Sequence, residues 1–252
     1  MRPFPLRTGM AEVLRLEPLG PRMTRFVLGG ETLAEFPVEQ PGEIVTLLWP
    51  APGRDLVLPE AGWRFPPGVA AAQHARNYTV RAWDAGELSV DFVLHGDHGR
   101  AARWAAAARP GDRIGFAGPR VHWAAEPDAD WTLLVADETG LPALAAIAET
   151  LPAGQPAVAF VEVTDAREEQ PLRCAADLDL RWLHRGDAAP GTTTLLEDAV
   201  RSLALPAGRG RAWGGGEARA MRGVRRHLRE AREIEDVNVL GYWKHRNTTS
   251  WD

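Results

Sequence analysis

The chain has a single cysteine, Cys174, among its 252 residues. One thiol cannot close an internal disulfide, build a cysteine zinc site or hold an iron–sulfur cluster. Any electron transfer here needs an organic cofactor or a metal held by other ligands. Long apolar runs are missing as well. The stretch WTLLVADETGLPALAAIAETL (131–151) is broken by Asp137, Glu138 and Pro142. A spanning helix needs about 20 apolar residues, so no stable membrane insertion is expected. The opening MRPFPLRTGM has no apolar signal core, which makes a cytoplasmic location the expectation. The net charge of -5 gives no overall pull on nucleic acid or acidic lipid, so a nucleic-acid partner is not expected. Internal repeats, low-complexity tracts and the GxSxG, HExxH and P-loop patterns are absent. His95 and His98 are spaced i, i+3 in a glycine-rich loop without an obvious third ligand, so no metal site is expected.

What is present is an ordinary globular composition, 45% hydrophobic and 25% charged. The length suits one large domain or two of about 100–150 residues. The chain changes character near residue 125. Before it, short alternating runs read as strands: Glu12–Leu16, Met23–Leu28, Ile44–Trp49, Asn77–Trp83 and Glu87–His95. In the last, Leu88, Val90, Phe92 and Leu94 alternate with Glu87, Ser89, Asp91 and Val93. Pro and Gly punctuate the runs, and one alanine-rich helix, Arg100–Ala108, interrupts them. This pattern predicts an antiparallel β-barrel.

After residue 125 strands and helices alternate. Strands are expected at Trp131–Ala136, Ala157–Val163, Arg181–His184, Arg211–Trp213 and Val237–Tyr242, with helices at Pro142–Leu151, Thr193–Leu203 and Glu217–Arg232. This order predicts an α/β domain on a mostly parallel sheet. The stretch AAEPDAD (124–130) is the expected boundary, giving domains 1–125 and 126–252. A barrel followed by an open α/β sheet can carry two cofactors, one on each.

Several residues carry candidate chemistry. On a strand, Arg76 and Tyr78 of Arg76-Asn77-Tyr78-Thr79 share a face. A guanidinium can bind a phosphate through two parallel hydrogen bonds. Tyr78 offers a flat ring to a flat heterocycle, and the Thr79 hydroxyl can reach a ring nitrogen. Together they can hold a flavin, though an ordinary strand with a surface arginine reads the same way. Leu94-His95-Gly96-Asp97-His98-Gly99 then leads into the Arg100 helix, whose free N–H groups suit a pyrophosphate. Asp137-Glu138-Thr139 closes a strand at the edge where a nucleotide can lie; Thr139 as a cap for the Pro142 helix is the alternative. Gly214-Gly215-Gly216-Glu217 follows a strand and opens a helix, a place for a nicotinamide nucleotide's phosphates or a plain tight turn. In the following helix, Met221, Val224 and Leu228 form an apolar stripe amid Arg219, Arg222, Arg225, Arg226, Arg229 and Arg232. Those arginines are either a solvated face or an attractor for the NADPH 2′-phosphate or an acidic chelate.

Taken in order, RNYTVR, DFVLHGDHGRAARWA, PGDRIGFAGPR, WTLLVADETGLPALAAI, WGGGEARAMRGVRRHL and GYWKHR resemble the siderophore-interacting proteins. That family consists of flavin-dependent ferric-siderophore reductases related in fold to ferredoxin–NADP reductases. The likeness runs from about residue 12 to residue 246. It implies an FAD-binding barrel followed by an NAD(P)H-binding α/β domain. It implies FAD contacts from Arg76, Tyr78 and Thr79, with His95, Gly99, Ala101 and Ala102 lining the flavin. Where the family often has proline and serine at the helix start, this chain has Arg100 and Ala102, so a hydroxyl contact to phosphate is missing. The resemblance puts Asp137 and Thr139 near the adenine of FAD, and the nicotinamide at Gly215, Gly216 and Glu217. In the C-terminal motif, Tyr242 and Trp243 can cover flavin or adenine, or simply pack in the core. Lys244 and Arg246 can meet an anionic ferric chelate. The implied reaction passes a hydride from NADH or NADPH to FAD and single electrons on to Fe(III), releasing Fe(II), with no catalytic side chain required. A ferredoxin as donor, another acceptor, or a non-catalytic siderophore-binding protein are the alternatives.

Overall fold

The computed structural model describes residues 7–50, 53–60, 62–69, 74–94, 99–121, 123, 129–232 and 234–245. The chain divides into two compact units, Met1–Ala124 and Ala125–Asp252.

The first unit is built on one antiparallel sheet. Its strands are β1 (Arg7–Pro18), β2 (Met23–Gly29), β3 (Ile44–Trp49), β4 (His74–Thr79), β5 (Ala82–Asp84), β6 (Glu87–Val93) and β7 (Arg113–Arg120). They lie in the order β4-β3-β7-β1-β2-β6-β5. One helix, α1 (Arg100–Ala107), follows β6. β3 (IVTLLW) is buried along its whole length, as suits β-branched and large apolar side chains between two neighbours.

The expected strand Asn77–Trp83 is in fact two. β4 pairs with β3 at one edge of the sheet and β5 pairs with β6 at the other. Between them Val80 N donates to Glu43 O (2.7 Å) and Arg81 N to Ser89 O (2.9 Å). One run of chain thus serves both edges, and the sheet curls back on itself. This requires the run to change partner at Val80–Arg81. β7 was not expected from the sequence as a strand, because RIGFAGPR carries two glycines and a proline, all poor strand formers. Yet it runs between β3 and β1 and is mostly buried. The barrel core is aromatic: Phe26 packs tilted against Phe92 at 4.4 Å and Trp104 lies 5.5 Å from Phe26.

The second unit contains β8 (Trp131–Asp137), α2 (Leu141–Ala148), β9 (Pro156–Val163), β10 (Asp177–His184), α3 (Leu195–Ser202), β11 (Gly210–Glu217), α4 (Ala218–Arg226) and β12 (Asp236–Trp243). A π-type turn at His227–Ala231 extends α4. The strands are all parallel, in the order β10-β9-β8-β11-β12. β8 and α2 are buried throughout, so they read as continuous apolar runs. The chain moves outward from β8 to β10 and then returns to β11 on the other side of β8. The strand order thus reverses between β8 and β11, and open α/β sheets bind ligands at the carboxyl ends of strands at such a point. β11 is longer than expected: it continues from Trp213 through Gly214, Gly215 and Gly216, so the glycine triplet is strand rather than loop. No described helix is long and apolar enough to cross a membrane.

Candidate active site

In the barrel, the pairs Val45↔Tyr78, Leu47↔Arg76 and Trp49↔His74 set Tyr78, Arg76 and His74 on one face of β4. The Tyr78 ring lies 4.2 Å from Phe92 and 6.5 Å from Trp49. Burial pushes its hydroxyl pKa up, so it stays neutral. Arg76 is exposed, and its Nη1 donates to its neighbour's carbonyl, Ala75 O, at 2.8 Å. Thr79 follows on the opposite face and is buried. Asn77 faces the same way as Thr79. Its Oδ1 accepts from Thr46 Oγ1 (2.8 Å) and Arg120 Nη2 (2.7 Å), which ties β3, β4 and β7 together.

α1 starts at Gly99, which has a φ of 100° and no atom within 4 Å of where a β-carbon would sit. No side chain caps this end and no acidic residue occupies its first turn. Its first N–H groups therefore have no intrahelical partner. Ala102 is buried, and half-buried Ala101 packs against the barrel core. Arg100 donates to Pro50 O at 2.9 Å. The His74 pKa is held below its ordinary value by burial first, then by the charges of Arg76, Arg100 and Arg103. Pro50 follows Trp49, the ladder partner of His74, so β4 and the uncapped start of α1 meet, and the charges of Arg76, Arg100 and Arg103 all bear on the imidazole. Like charges repel, and an anion of two or more charges would offset that repulsion. These residues fit the diphosphate of FAD.

Arg100 stood in the sequence as a departure, but His74 and Arg103 were missed. Two signals were available: His74 is two residues before Arg76 on the same strand face, and Arg103 is one helical turn beyond Arg100. His95 falls outside the described residues.

At the carboxyl edge of the parallel sheet, Asp137 and Glu217 are both buried. Asp137 Oδ1 accepts from Thr139 N (2.8 Å), Thr139 Oγ1 (2.6 Å) and Gly140 N (3.3 Å). Its Oδ2 accepts from Glu217 N (2.8 Å) and Trp243 Nε1 (2.8 Å). Thr139 is not the cap of α2. The capping position is Gly140, with no side-chain bond to the helix; the Thr139 hydroxyl is turned back onto Asp137, which receives the loop amides instead. Glu217 does cap α4: Oε2 accepts from Arg219 N (2.6 Å) and Ala220 N (3.1 Å), and Oε1 from His245 N (3.2 Å).

The glycines here are needed for close approach. A β-carbon on Gly216 would fall 2.8 Å from Asp137 Oδ2, one on Gly215 would fall 2.9 Å from the Tyr242 ring, and one on Gly140 would collide with the Gly215 carbonyl. Tyr242 packs edge-on to Trp213 at 6.4 Å. Lys244 is exposed; Arg246 lies outside the described residues.

Behind this edge Arg185 pairs with Glu138, and Thr193 Oγ1 donates to Glu162 Oε2 at 2.7 Å. All three charged groups are buried. Burial is the largest influence on both glutamates and raises their pKa values. On α4, Met221, Val224 and Leu228 are buried and Arg219, Arg222, Arg225 and Arg226 are exposed. Arg229 and Arg232 donate to Val237 O (3.0 Å) and Leu203 O (2.7 Å).

Comparison with known proteins agrees with this geometry. Residues 12–123 match the siderophore-interacting FAD-binding domain and residues 129–246 the siderophore-interacting protein family. The crystal structure of a siderophore utilization protein from T. fusca superposes with a TM-score of 0.88 at 41% identity, covering 100% of this chain and 97% of that one. The NADPH-dependent ferric-chelate reductase of Escherichia coli is 32% identical over 94% of this chain and 93% of its own length. The ferric vibriobactin reductase ViuB of Vibrio cholerae is 28% identical over 93% and 89%. At 14% identity, the ferredoxin reductase in carbazole 1,9a-dioxygenase still superposes with a TM-score of 0.69, which shows the shared ferredoxin reductase-like fold. A curled antiparallel sheet with an uncapped helix start, a parallel sheet whose order reverses between β8 and β11, and these matches along nearly the whole chain have one reading: the chain belongs to the siderophore-interacting protein family.

Proposed function

We propose that this protein is an FAD-dependent ferric-siderophore reductase that draws electrons from NADPH, as the E. coli ferric-chelate reductase does by its name. The observation that carries the proposal is the uncapped start of α1 beside β4, where Arg100 is hydrogen-bonded to Pro50 next to the ladder partner of His74 and Arg76 lies exposed on the same strand face. FAD, when bound, supplies the conversion between a two-electron nicotinamide donor and a one-electron Fe(III) acceptor. Arg76 and the first amides of α1 hold its diphosphate. Arg100 contributes a further positive charge at this helix start. Gly99 and Ala101 keep side chains out of the diphosphate's path. Tyr78 gives the isoalloxazine a flat neighbour fixed by Phe92. The nucleotide lies at the carboxyl ends of β8 and β11, where Asp137 and Glu217 shape the edge from within while the exposed Arg219 and Arg222 face it with positive charge. Lys244 and Arg246 attract the anionic chelate. No side chain transfers a proton to the iron complex; the protein binds, orients and excludes competing reactions. A donor of this kind supports a cytoplasmic location for the reaction.

The test is spectroscopic. The purified protein is saturated with FAD and mixed anaerobically with NADPH or NADH, a ferric siderophore and a ferrous trap. Flavin absorbance that bleaches with NADPH and returns as trapped Fe(II) accumulates is the expected result. A flavin reduced only by ferredoxin would replace the donor. Failure to bind FAD would overturn the proposal and favour a binding protein.

A further inference from the structure

β12 pairs with β11 residue for residue from Arg211↔Asp236 to Gly216↔Gly241, and then the register skips: Glu217 lies opposite Trp243, leaving Tyr242 extra. A bulge re-aims the side chain that follows it, and bulges concentrate next to working sites. This one delivers the Trp243 indole to Asp137, Nε1 to Oδ2 at 2.8 Å. Two residues later the chain is fastened again, His245 N to Glu217 Oε1 at 3.2 Å. Lys244, between the two anchors, is exposed. The loop ahead of α3 closes on the same corner: a β-carbon on Gly191 would fall 2.7 Å from Glu217 Cγ and 2.9 Å from Trp243 Cη2.

The acceptors of both anchors are buried carboxylates. Burying a carboxylate is costly unless donors surround it. Asp137 and Glu217 meet that condition with backbone amides, and each keeps one bond for the tail. Segments after a last strand ordinarily fray; here a bulge and two buried charges are directed at three consecutive residues.

We infer that Asp137 and Glu217 are positioning residues: through Trp243 and His245 they fix the backbone on both sides of Lys244 and hold its ammonium ready for an anionic ferric chelate. The inference rests on the role proposed above for Lys244. Fixing the backbone before binding removes an ordering cost that the chelate would otherwise have to offset.

Trp243→Phe removes the indole N–H and keeps an aromatic ring. FAD-saturated protein, the Trp243→Phe and Lys244→Met variants and the double variant are assayed with NADPH and ferric tris-catecholate, with a ferrous trap. Each single change should raise the chelate KM about three- to ten-fold, the worth of one net hydrogen bond, with the effect on KM rather than kcat. The double variant should be no worse than Lys244→Met alone, because the latch acts through that lysine. A purely structural bond would lower the unfolding temperature without a KM effect that depends on Lys244. If Lys244→Met leaves the chelate KM unchanged, the role of Lys244 fails and the inference with it. If Lys244→Met raises KM while Trp243→Phe does not, or the two effects multiply, the latch alone is overturned.

Discussion

Arg25 on β2 grips Asp91 on β6 through two parallel hydrogen bonds, Nε to Oδ1 at 2.7 Å and Nη2 to Oδ2 at 2.9 Å. The two residues are direct partners in the ladder. The Asp91 side chain is 2% exposed and that of Arg25 22%. Strand alternation assigns Asp91 to the polar face of β6, yet it is buried, so the pair is a cross-strand clamp. Paired forks of this kind are among the stronger hydrogen bonds. Asp91→Ala leaves the guanidinium without its fork and should destabilise the protein by about 3 kcal/mol. Asp91→Asn keeps one acceptor and should lose less. Urea unfolding of the three proteins measures both; equal midpoints would show that the clamp contributes nothing net.

The charges of Arg76 and Arg100 make a prediction about cofactor binding that does not depend on turnover. Arg76→Ala and Arg100→Ala should each weaken FAD binding about ten-fold or more, the usual scale for a charge-assisted bond. The affinity of the unaltered protein should fall as salt is raised, and each variant should fall less steeply. Titrating FAD into flavin-free protein, followed by flavin fluorescence, gives both numbers. Variants with unaltered affinity and unaltered salt dependence would remove Arg76 or Arg100 from the site.

His74 adds a pH dependence. Burial and the charges of Arg76, Arg100 and Arg103 depress its pKa below the ordinary 6.5, so the flavin-free protein carries it neutral at neutral pH. These three are the charged groups that act on it among the described residues, with the Trp49 ring 6.0 Å away. A bound diphosphate offsets most of that positive charge and raises the pKa, so binding favours uptake of a proton. FAD affinity should therefore rise as pH falls through the range between the bound and free values. His74→Gln should flatten that profile; an identical profile in the variant would assign the proton elsewhere.

The sequence carried the plan of an antiparallel unit followed by a parallel one because its signals are local. Alternation marks β6, the apolar run marks β8, and the Met221/Val224/Leu228 stripe marks α4. What it hid depends on partners far along the chain. β7 is a strand because β3 and β1 flank it, despite Gly115, Gly118 and Pro119. The break at Val80–Arg81 exists because two sheet edges claim one segment. The same holds at the candidate site. Arg76 and Tyr78 are legible from period two, but the cluster of His74 with Arg100 and Arg103 requires β4 and α1 to meet. Asp137 and Glu217 looked like open ligands of a nucleotide edge; nothing local reveals that their oxygens receive the amides of α4 and the tail.

Glu162 at the end of β9 offers a test of the buried charges behind that edge. It is 5% exposed, and Thr193 Oγ1 donates to its Oε2 at 2.7 Å. Burial raises its pKa above the ordinary 4.5, the charges of Asp137 and Glu138 push the same way, and Thr193 and Arg185 oppose them. The folded protein therefore keeps this proton to higher pH than the unfolded chain does. The stability linked to it is complete below the unfolded pKa, near 4.5, and is lost as pH rises through the folded value. Glu162→Gln resembles the protonated acid and still accepts the Thr193 hydrogen bond, without a charge to desolvate. Glu138 is the less suitable target, because removing its charge would strand the buried Arg185. Unfolding free energies of the two proteins should be most alike near the unfolded pKa and diverge as pH rises above it, with the variant the more stable. A difference that stays constant with pH would mean that Arg185 holds Glu162 ionised throughout, and that the buried cluster behaves as an ordinary ion-pair network.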